Sequence, residues 1–219
     1  IVAGSVHEVM AVQALNALVG NINSEGGVWT LPKFDYIDWP EPAQDKTAAE
    51  GLRKGRVDGA GSDEFPFAKS LLDRLPKVLN EGSAYGLEAL LVADANPLYT
   101  MADTKAAKEA FSKIPFIVSF SSFLDETAQF ADLILPNHVY LERYEDVPVT
   151  AGLNKPVLSL AKPVVKPQLN TMHTGDAIIK IAGILGAPTA DAFAWQDYET
   201  CLKETLGDKW DALHEQVAF

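Results

Sequence analysis

Apolar runs alternate with polar, proline-bearing stretches along the chain, and the spacing of the apolar positions separates helix from strand. Ile1–Ala3 reads as a strand entering the turn Gly4-Ser5. His7 to Val19 is predicted as a helix, because Val9, Val12, Leu15, Ala17, Leu18 and Val19 recur at helical spacing before Gly20-Asn21 stops it. Residues 28–66 break this order with Trp29, Trp39, four prolines and a Gly/Asp-rich stretch from Gly55 to Asp63. They are expected to form a surface excursion of the kind that is functional or mobile. Phe67 to Asn80 is predicted as a short helix that Pro76 kinks or restarts.

The next hundred residues carry the clearest rhythm. Glu88–Ala93 is a short, nearly all-apolar run, expected of a strand buried on both faces, and it ends at Asp94-Ala95-Asn96-Pro97. Ala102–Phe111 is predicted as a helix capped by Asp103 or Thr104. Pro115–Phe120 is a second strand, Glu126–Phe130 a short helix, and Leu133–Leu135 a third strand stopped by Pro136. Strand, helix, strand, helix, strand implies an α/β fold whose parallel sheet has right-handed crossovers. Ala151–Leu169 holds three prolines and is expected to be extended. Gly175-Asp176 opens a helix through Leu185, closed by Gly186 and Pro188. Trp195–Phe219 gives one or two amphipathic helices. The expected organisation is an α/β domain over residues 1–186, with an excursion at 28–83, followed by a helical extension at 187–219.

Composition narrows the function. Hydrophobic residues are 47% and charged residues 22%, which disfavours whole-chain disorder. The net charge of −12 repels a phosphate backbone and argues against a nucleic-acid partner. No apolar run approaches the roughly 20 residues that span a bilayer. A single cysteine, Cys201, rules out an internal disulfide and a Cys-ligated iron–sulfur cluster within the chain, and it reads as a small core or interface residue. The opening Ile-Val-Ala-Gly lacks a Met or a signal sequence, so a processed chain or a piece of a longer protein is expected.

In a parallel sheet, ligands bind beyond the carboxyl ends of the strands. That places the candidate loops at Gly4–His7, Asp94–Leu98, Ser119–Asp125 and Pro136–His138. Amides at the start of the Thr127 helix are candidates for a phosphate. Neither GxGxxG nor GxxxxGK[ST] occurs, which disfavours a standard NAD or ATP site, and there is no GxSxG elbow. His7, His138, His173 and His214 have no metal-ligand spacing and read as hydrogen-bonded or surface residues. Glu145 and Asp146 read as a solvated charged turn. Arg143 differs, as a cation among carboxylates near the strand ends that suits a phosphate or carboxylate ligand.

The run Glu126-Thr127-Ala128-Gln129-Phe130-Ala131-Asp132-Leu133-Ile134-Leu135-Pro136 resembles the "ETA..AD.VLP" signature of the molybdopterin oxidoreductases, the dimethyl sulfoxide reductase, formate dehydrogenase and nitrate reductase superfamily. Leu15–Gly20 with Gly26-Gly27, Asp94–Pro97 and Thr174-Gly175-Asp176 resemble further family segments in the same order. Leu141–Asp146 and the later Pro163 and Pro167 resemble the polysulfide/thiosulfate and menaquinone reductase branch.

The resemblance implies a three-layer αβα Rossmann-like domain, the third of four in a large catalytic subunit. It would help to hold one guanine dinucleotide arm of a bis-pterin molybdenum or tungsten cofactor. Carried over by motif, Asn96, Ser119, Phe120, Ser121, Arg143 and Asp176 are the implied contacts to guanosine and diphosphate, with Ser5 and His7 near the pterin. Several relatives carry an Asp near Phe120, where this chain has Phe-Ser-Ser. No metal ligand is implied within the chain. An iron–sulfur cluster and the remaining domains are expected outside it, with iron–sulfur and membrane-anchor subunits as partners. The implied location is the bacterial periplasm, or the membrane by way of partners, with the cytoplasm also compatible. Two other readings stay open: a non-catalytic relative acting as a scaffold in an electron-transfer complex, and a free-standing nucleotide-binding module.

Overall fold

Three short apolar strands build the sheet that organises the larger part of the molecule. The computed structural model describes residues 6–30, 43–149, 155 and 157–215. Strands β1 (Leu90–Val92), β2 (Ile117–Ser119) and β3 (Leu133–Ile134) lie parallel in the order β1-β2-β3. Leu90 faces Ile117, Val92 faces Ser119, and Ser119 faces Ile134. All three residues of the central strand are buried, as its Ile-Val-Ser composition and its two neighbours require. Edge strand β1 departs from the expectation of burial on both faces, Leu91 being 55% exposed, and Leu133 and Ile134 of the other edge strand are exposed as well. The three-residue length of β1, against six expected, follows from the same geometry, because only residues with a β2 partner complete a ladder.

Helix α1 (Val6–Leu18) lies within one residue of its expected span at each end. The expected strand Ile1–Ala3 and the turn at Gly4-Ser5 lie outside the described residues. Within residues 28–66 the sequence reading missed a helix, α2 (Lys46–Arg53), capped by Asp45, whose carboxylate accepts from the Ala48 amide at 2.7 Å. The Gly/Asp-rich stretch is organised around buried Asp58. Its carboxylate accepts two bonds from Arg56 (2.9 and 2.7 Å) and one each from the amides of Ala60 and Leu71. These donors, Arg56 foremost, hold the Asp58 carboxyl far below the usual carboxylate range against the opposing effect of burial.

The expected helix from Phe67 is shorter than predicted. A 3-10 turn at Leu72–Arg74 leads into α3 (Leu75–Glu81), where Pro76 sits in the first turn and so restarts the helix rather than breaking it. Gly82 at φ +62° ends it. A single turn, α4 (Pro97–Thr100), follows β1, and then comes α5 (Thr104–Phe111). Asp103 caps α5 by accepting from the Ala106 amide, one of the two caps expected. The small residues Ala107 and Ala110 let α5 approach closely, so that with Leu98, Phe111, Ile114 and Ile117 they form the main core. The expected helix at Glu126–Phe130 is a 3-10 turn, Ala128–Phe130.

Strands β4 (Glu145–Val149) and β5 (Val157–Ala161) form an antiparallel pair, Glu145 opposite Ala161. Glu145 and Asp146, expected in a solvated turn, are therefore strand residues. The sequence reading missed the pairing because Pro148 and the polar alternation mask it. Helices α6 (Thr174–Leu185), α7 (Thr189–Ala192), α8 (Tyr198–Leu206) and α9 (Lys209–Glu215) complete the chain. Cys201 is buried, as expected. By contact the chain divides into two units. Ile1–Asp38, Glu145–Ala161 and Thr205–Phe219 form one, and Trp39–Tyr144 with Lys162–Glu204 form the other, which carries the parallel sheet.

Replacing Asp58 with alanine leaves the Ala60 and Leu71 amides and the Arg56 guanidinium without their acceptor. A loss of about 2–4 kcal/mol of stability is expected. Urea denaturation followed by tryptophan fluorescence measures it, and a loss below about 0.5 kcal/mol would show that Asp58 does not organise this segment.

Candidate functional site

The carboxyl ends of the three parallel strands open into a groove, and a buried hydrogen-bond knot fixes its floor. Asn96 follows β1. Its Oδ1 accepts from the hydroxyl of Thr127 (2.7 Å) and from the Thr127 amide, while its Nδ2 donates to Glu126 (2.7 Å). The Thr127 hydroxyl in turn accepts from the Leu98 amide, and Thr127 is fully buried. The first strand's exit is thereby tied to the segment leading into the third. The Glu126 carboxyl is held below its usual range, chiefly by the Asn96 bond.

The rest of the signature run is also structural. Asp132 accepts from the Ile117 amide at 2.7 Å and so anchors the start of β2. Asn137, just past β3 and buried, accepts from the Thr174 amide through Oδ1 and from the Ser122 hydroxyl through its backbone carbonyl. One side chain and its carbonyl thus join the β3 exit to α6 and to the β2 loop.

Above this floor lies a cavity of about 440 Å³, walled by Asp94, Asn96, Ser121, Asp125 and Arg143, with Phe123, His138 and Tyr140 at its sides. Asp94 has φ +49°, a left-handed conformation that Asp tolerates better than most residues. Asp125 accepts from Ser121 Oγ (2.8 Å) and from the Ala128 amide (2.7 Å). Arg143 is largely buried: its Nη1 stands 3.6 Å from Asp94 Oδ1 and donates to the His138 carbonyl at 3.4 Å. The groove is therefore lined by carboxylates together with a guanidinium that stands beside one of them.

A smaller cavity of about 200 Å³ adjoins it, with Arg143 and His138 lining both. His173 caps α6 there: its Nδ1 accepts from the Gly175 amide (3.0 Å), which puts the ring proton on Nε2. Its ring stacks on Tyr198 with centroids 4.3 Å apart. A Cβ on Gly175 would meet the Tyr198 ring at 2.6 Å, so glycine is required for this stack. Burial pushes His173 down to about 4. Arg143 and His138 add to that push, while Asp176 and Asp94 oppose it. Asp176 accepts from the Tyr198 amide at 2.7 Å.

Asn96, Ser121 and Arg143 thus meet in the groove. Asp176 faces the smaller cavity. Ser119 and Phe120 are buried at 1% and 2% exposure. Phe120 packs with Val118 and Ala177, and the Ser119 hydroxyl accepts from the Ser121 amide. Ser5 lies outside the described residues, and His7 is an exposed residue of α1 in the other unit. The amides expected to hold a phosphate are occupied: Asn96 accepts from Thr127 N and Asp125 from Ala128 N. Sequence reading missed Asp94, Phe123, Asp125, Tyr140 and His173. The first three lie within loops that the strand-end rule had marked, so the signal was present as position rather than as motif. Among the described residues no group of three or more His, Cys, Asp or Glu is placed to hold a metal ion.

Comparison with known proteins adds to this geometry. Residues 5–178 match the family model described as molybdopterin oxidoreductase. The chain is 36% identical over 211 residues to the menaquinone reductase molybdopterin-binding-like subunit of Nitratidesulfovibrio vulgaris, covering 96% of this chain and 28% of that protein. It is 25% identical over 204 residues to the thiosulfate reductase molybdopterin-containing subunit of Salmonella typhimurium, covering 85% and 26%. The chain thus spans about a quarter of the length of these relatives. The solved structure of acetylene hydratase from Pelobacter acetylenicus shares the fold with a TM-score of 0.55 at 23% identity, over 65% of this chain and 20% of that one.

A histidine held neutral in the folded state stabilises above its unfolded value of 6.5, and that stability is lost as pH falls toward about 4. Acidification from pH 7 to pH 5 is expected to lower the urea midpoint of the wild-type chain more than that of His173→Asn, which keeps a cap acceptor but does not titrate. Solvent screening of a half-buried ring limits the difference to about 1 kcal/mol. Equal midpoint shifts in the two proteins would contradict the assignment.

Proposed function

Because the chain belongs to the molybdopterin oxidoreductase family, we propose that it is the domain of a respiratory oxidoreductase that holds one guanine dinucleotide arm of a bis-pterin molybdenum or tungsten cofactor. The observation that carries this reading is the 440 Å³ groove at the strand ends, with acceptors and a guanidinium on its walls. Guanine offers donors at N1 and N2 beside acceptors at O6 and N7. The carboxylates of Asp94 and Asp125 match the donors, and Arg143 suits O6 or the diphosphate charge. When bound, the metal–pterin group supplies the redox chemistry. The chain's own residues bind and orient: the Asn96–Thr127 knot keeps the floor rigid, and the Ser121–Asp125 bond fixes the acceptor wall. On this reading the Asp176 carboxylate suits a ribose hydroxyl, Arg143 serves the diphosphate charge, and Ser119 and Phe120 act by packing beneath the groove. By the family resemblance alone, Ser5 and His7 are assigned to the pterin end of the cofactor.

The same reading takes the sheet as part of a three-layer Rossmann-like domain over residues 1–186, with 187–219 as its helical extension. The partners are the remaining domains of the subunit and iron–sulfur and membrane-anchor subunits, with an iron–sulfur cluster outside this chain. The location is periplasmic or membrane-associated through those subunits. No helix among the described residues is long and apolar enough to cross a membrane.

A second reading has its own support. The 36%-identical relative is named molybdopterin-binding-like, and the groove's Asn96 and Ser121 side chains are already bonded within the protein. On that reading the chain belongs to a non-catalytic scaffold subunit.

Metal and pterin analysis of the intact protein from its native source separates the two. The cofactor reading expects molybdenum or tungsten together with pterin, and absence of both establishes the scaffold reading instead. The 219-residue chain alone is expected to show no viologen-linked turnover after cofactor loading, since one domain does not enclose the cofactor. Detectable turnover would contradict that.

A further inference from the structure

We infer that Phe123 and Tyr140 form the stacking surfaces for a purine base in the groove, a positioning role that rests on the nucleotide reading above. Both rings line the same 440 Å³ cavity, yet they come from separate loops, Phe123 from the exit of β2 and Tyr140 from the exit of β3. They are 73% and 71% exposed, among the most exposed aromatic side chains described. Large rings left in water at the rim of a polar cavity gain apolar contact when a planar ligand enters.

The loops that carry them are braced rather than loose. The Phe123 amide donates to Ser121 Oγ, which itself donates to Asp125. Ser122 Oγ donates to the Asn137 carbonyl, joining the Phe123 loop to the segment from which Tyr140 follows. Two rings held by a shared hydrogen-bonded frame are pre-organised, which lowers the ordering cost of binding.

The division of labour follows from the chemistry. Stacking is tolerant of base identity, because every base has a π-face. The carboxylates of Asp94 and Asp125 accept hydrogen bonds, and so distinguish guanine, with its adjacent N1 and N2 donors, from a base lacking them. The rings therefore supply affinity and the acids supply selectivity.

The test titrates GDP into the 219-residue chain, reading affinity and the guanine H8 resonance by NMR. Ring stacking shifts H8 upfield in the wild-type complex. Phe123→Ala and Tyr140→Ala are each expected to weaken GDP about 5- to 100-fold and to reduce the H8 shift. Tyr140→Phe, which keeps the ring, is expected to retain both. Phe123→Leu keeps apolar bulk without a ring and is expected to behave as the alanine variant does. The substituted side chains are exposed, so the variants should fold, and circular dichroism verifies it. GDP binding that survives both alanine substitutions within twofold, with the H8 shift intact, overturns the stacking role while leaving the nucleotide reading standing. Wild-type chain that binds no GDP overturns both.

Discussion

A buried threonine hydroxyl must find partners, and the way Thr127 finds them sets the geometry of the strand-end groove. It donates to Asn96 and accepts from Leu98, so the segment that enters β3 is locked to the exit of β1 across the top of β2. A hydroxyl buried without those bonds would cost about 1–3 kcal/mol, which makes any shift of one loop against the other unfavourable. Asp132 and Asn137 extend the same logic, one holding the entrance of β2 and the other joining the exit of β3 to α6. The most recognisable stretch of the sequence, residues 126–136, is thus a scaffold for the site rather than its chemistry.

That distinction explains what could and could not be read from the sequence. The parallel sheet was legible because Leu90–Val92, Ile117–Ser119 and Leu133–Ile134 are apolar clusters at βαβ spacing. The cap of α5 was marked by local chemistry at Asp103, and the start of α6 by Gly175-Asp176, though not its cap, His173. Asp58 was not legible, since its partner amide at Leu71 lies 13 positions away and no local pattern announces it. The β4–β5 pairing hid behind Pro148 and charged residues that alone suggest a turn. For the groove lining, position and motif each marked part. The strand-end rule marked the loops holding Asp94, Phe123 and Asp125, and the family motifs marked Asn96, Ser121 and Arg143 in the same groove, along with Ser119 and Phe120, which pack inside. His173 was read only as one of four scattered histidines, because its role depends on a stack with Tyr198, 25 residues later.

Electrostatics then accounts for the character of the groove. In a chain of net charge −12, a groove that also carries Asp94 and Asp125 would repel a bare phosphate. Arg143 offsets this locally from a largely buried position shared between two cavities. The proposed ligand, with a donor-bearing base and a diphosphate, offers partners to the carboxylates and to the guanidinium alike.

The central claim is that the groove at the carboxyl ends of β1, β2 and β3 receives the guanosine end of a dinucleotide. The most direct measurement is a map of backbone amide chemical-shift changes in the chain as GMP is added. The account predicts that the changes concentrate at residues 94–96, 121–125 and 138–143. Changes confined to the apolar cavity between β3 and α6, lined by Leu135, Ala177 and Ile181, would contradict it.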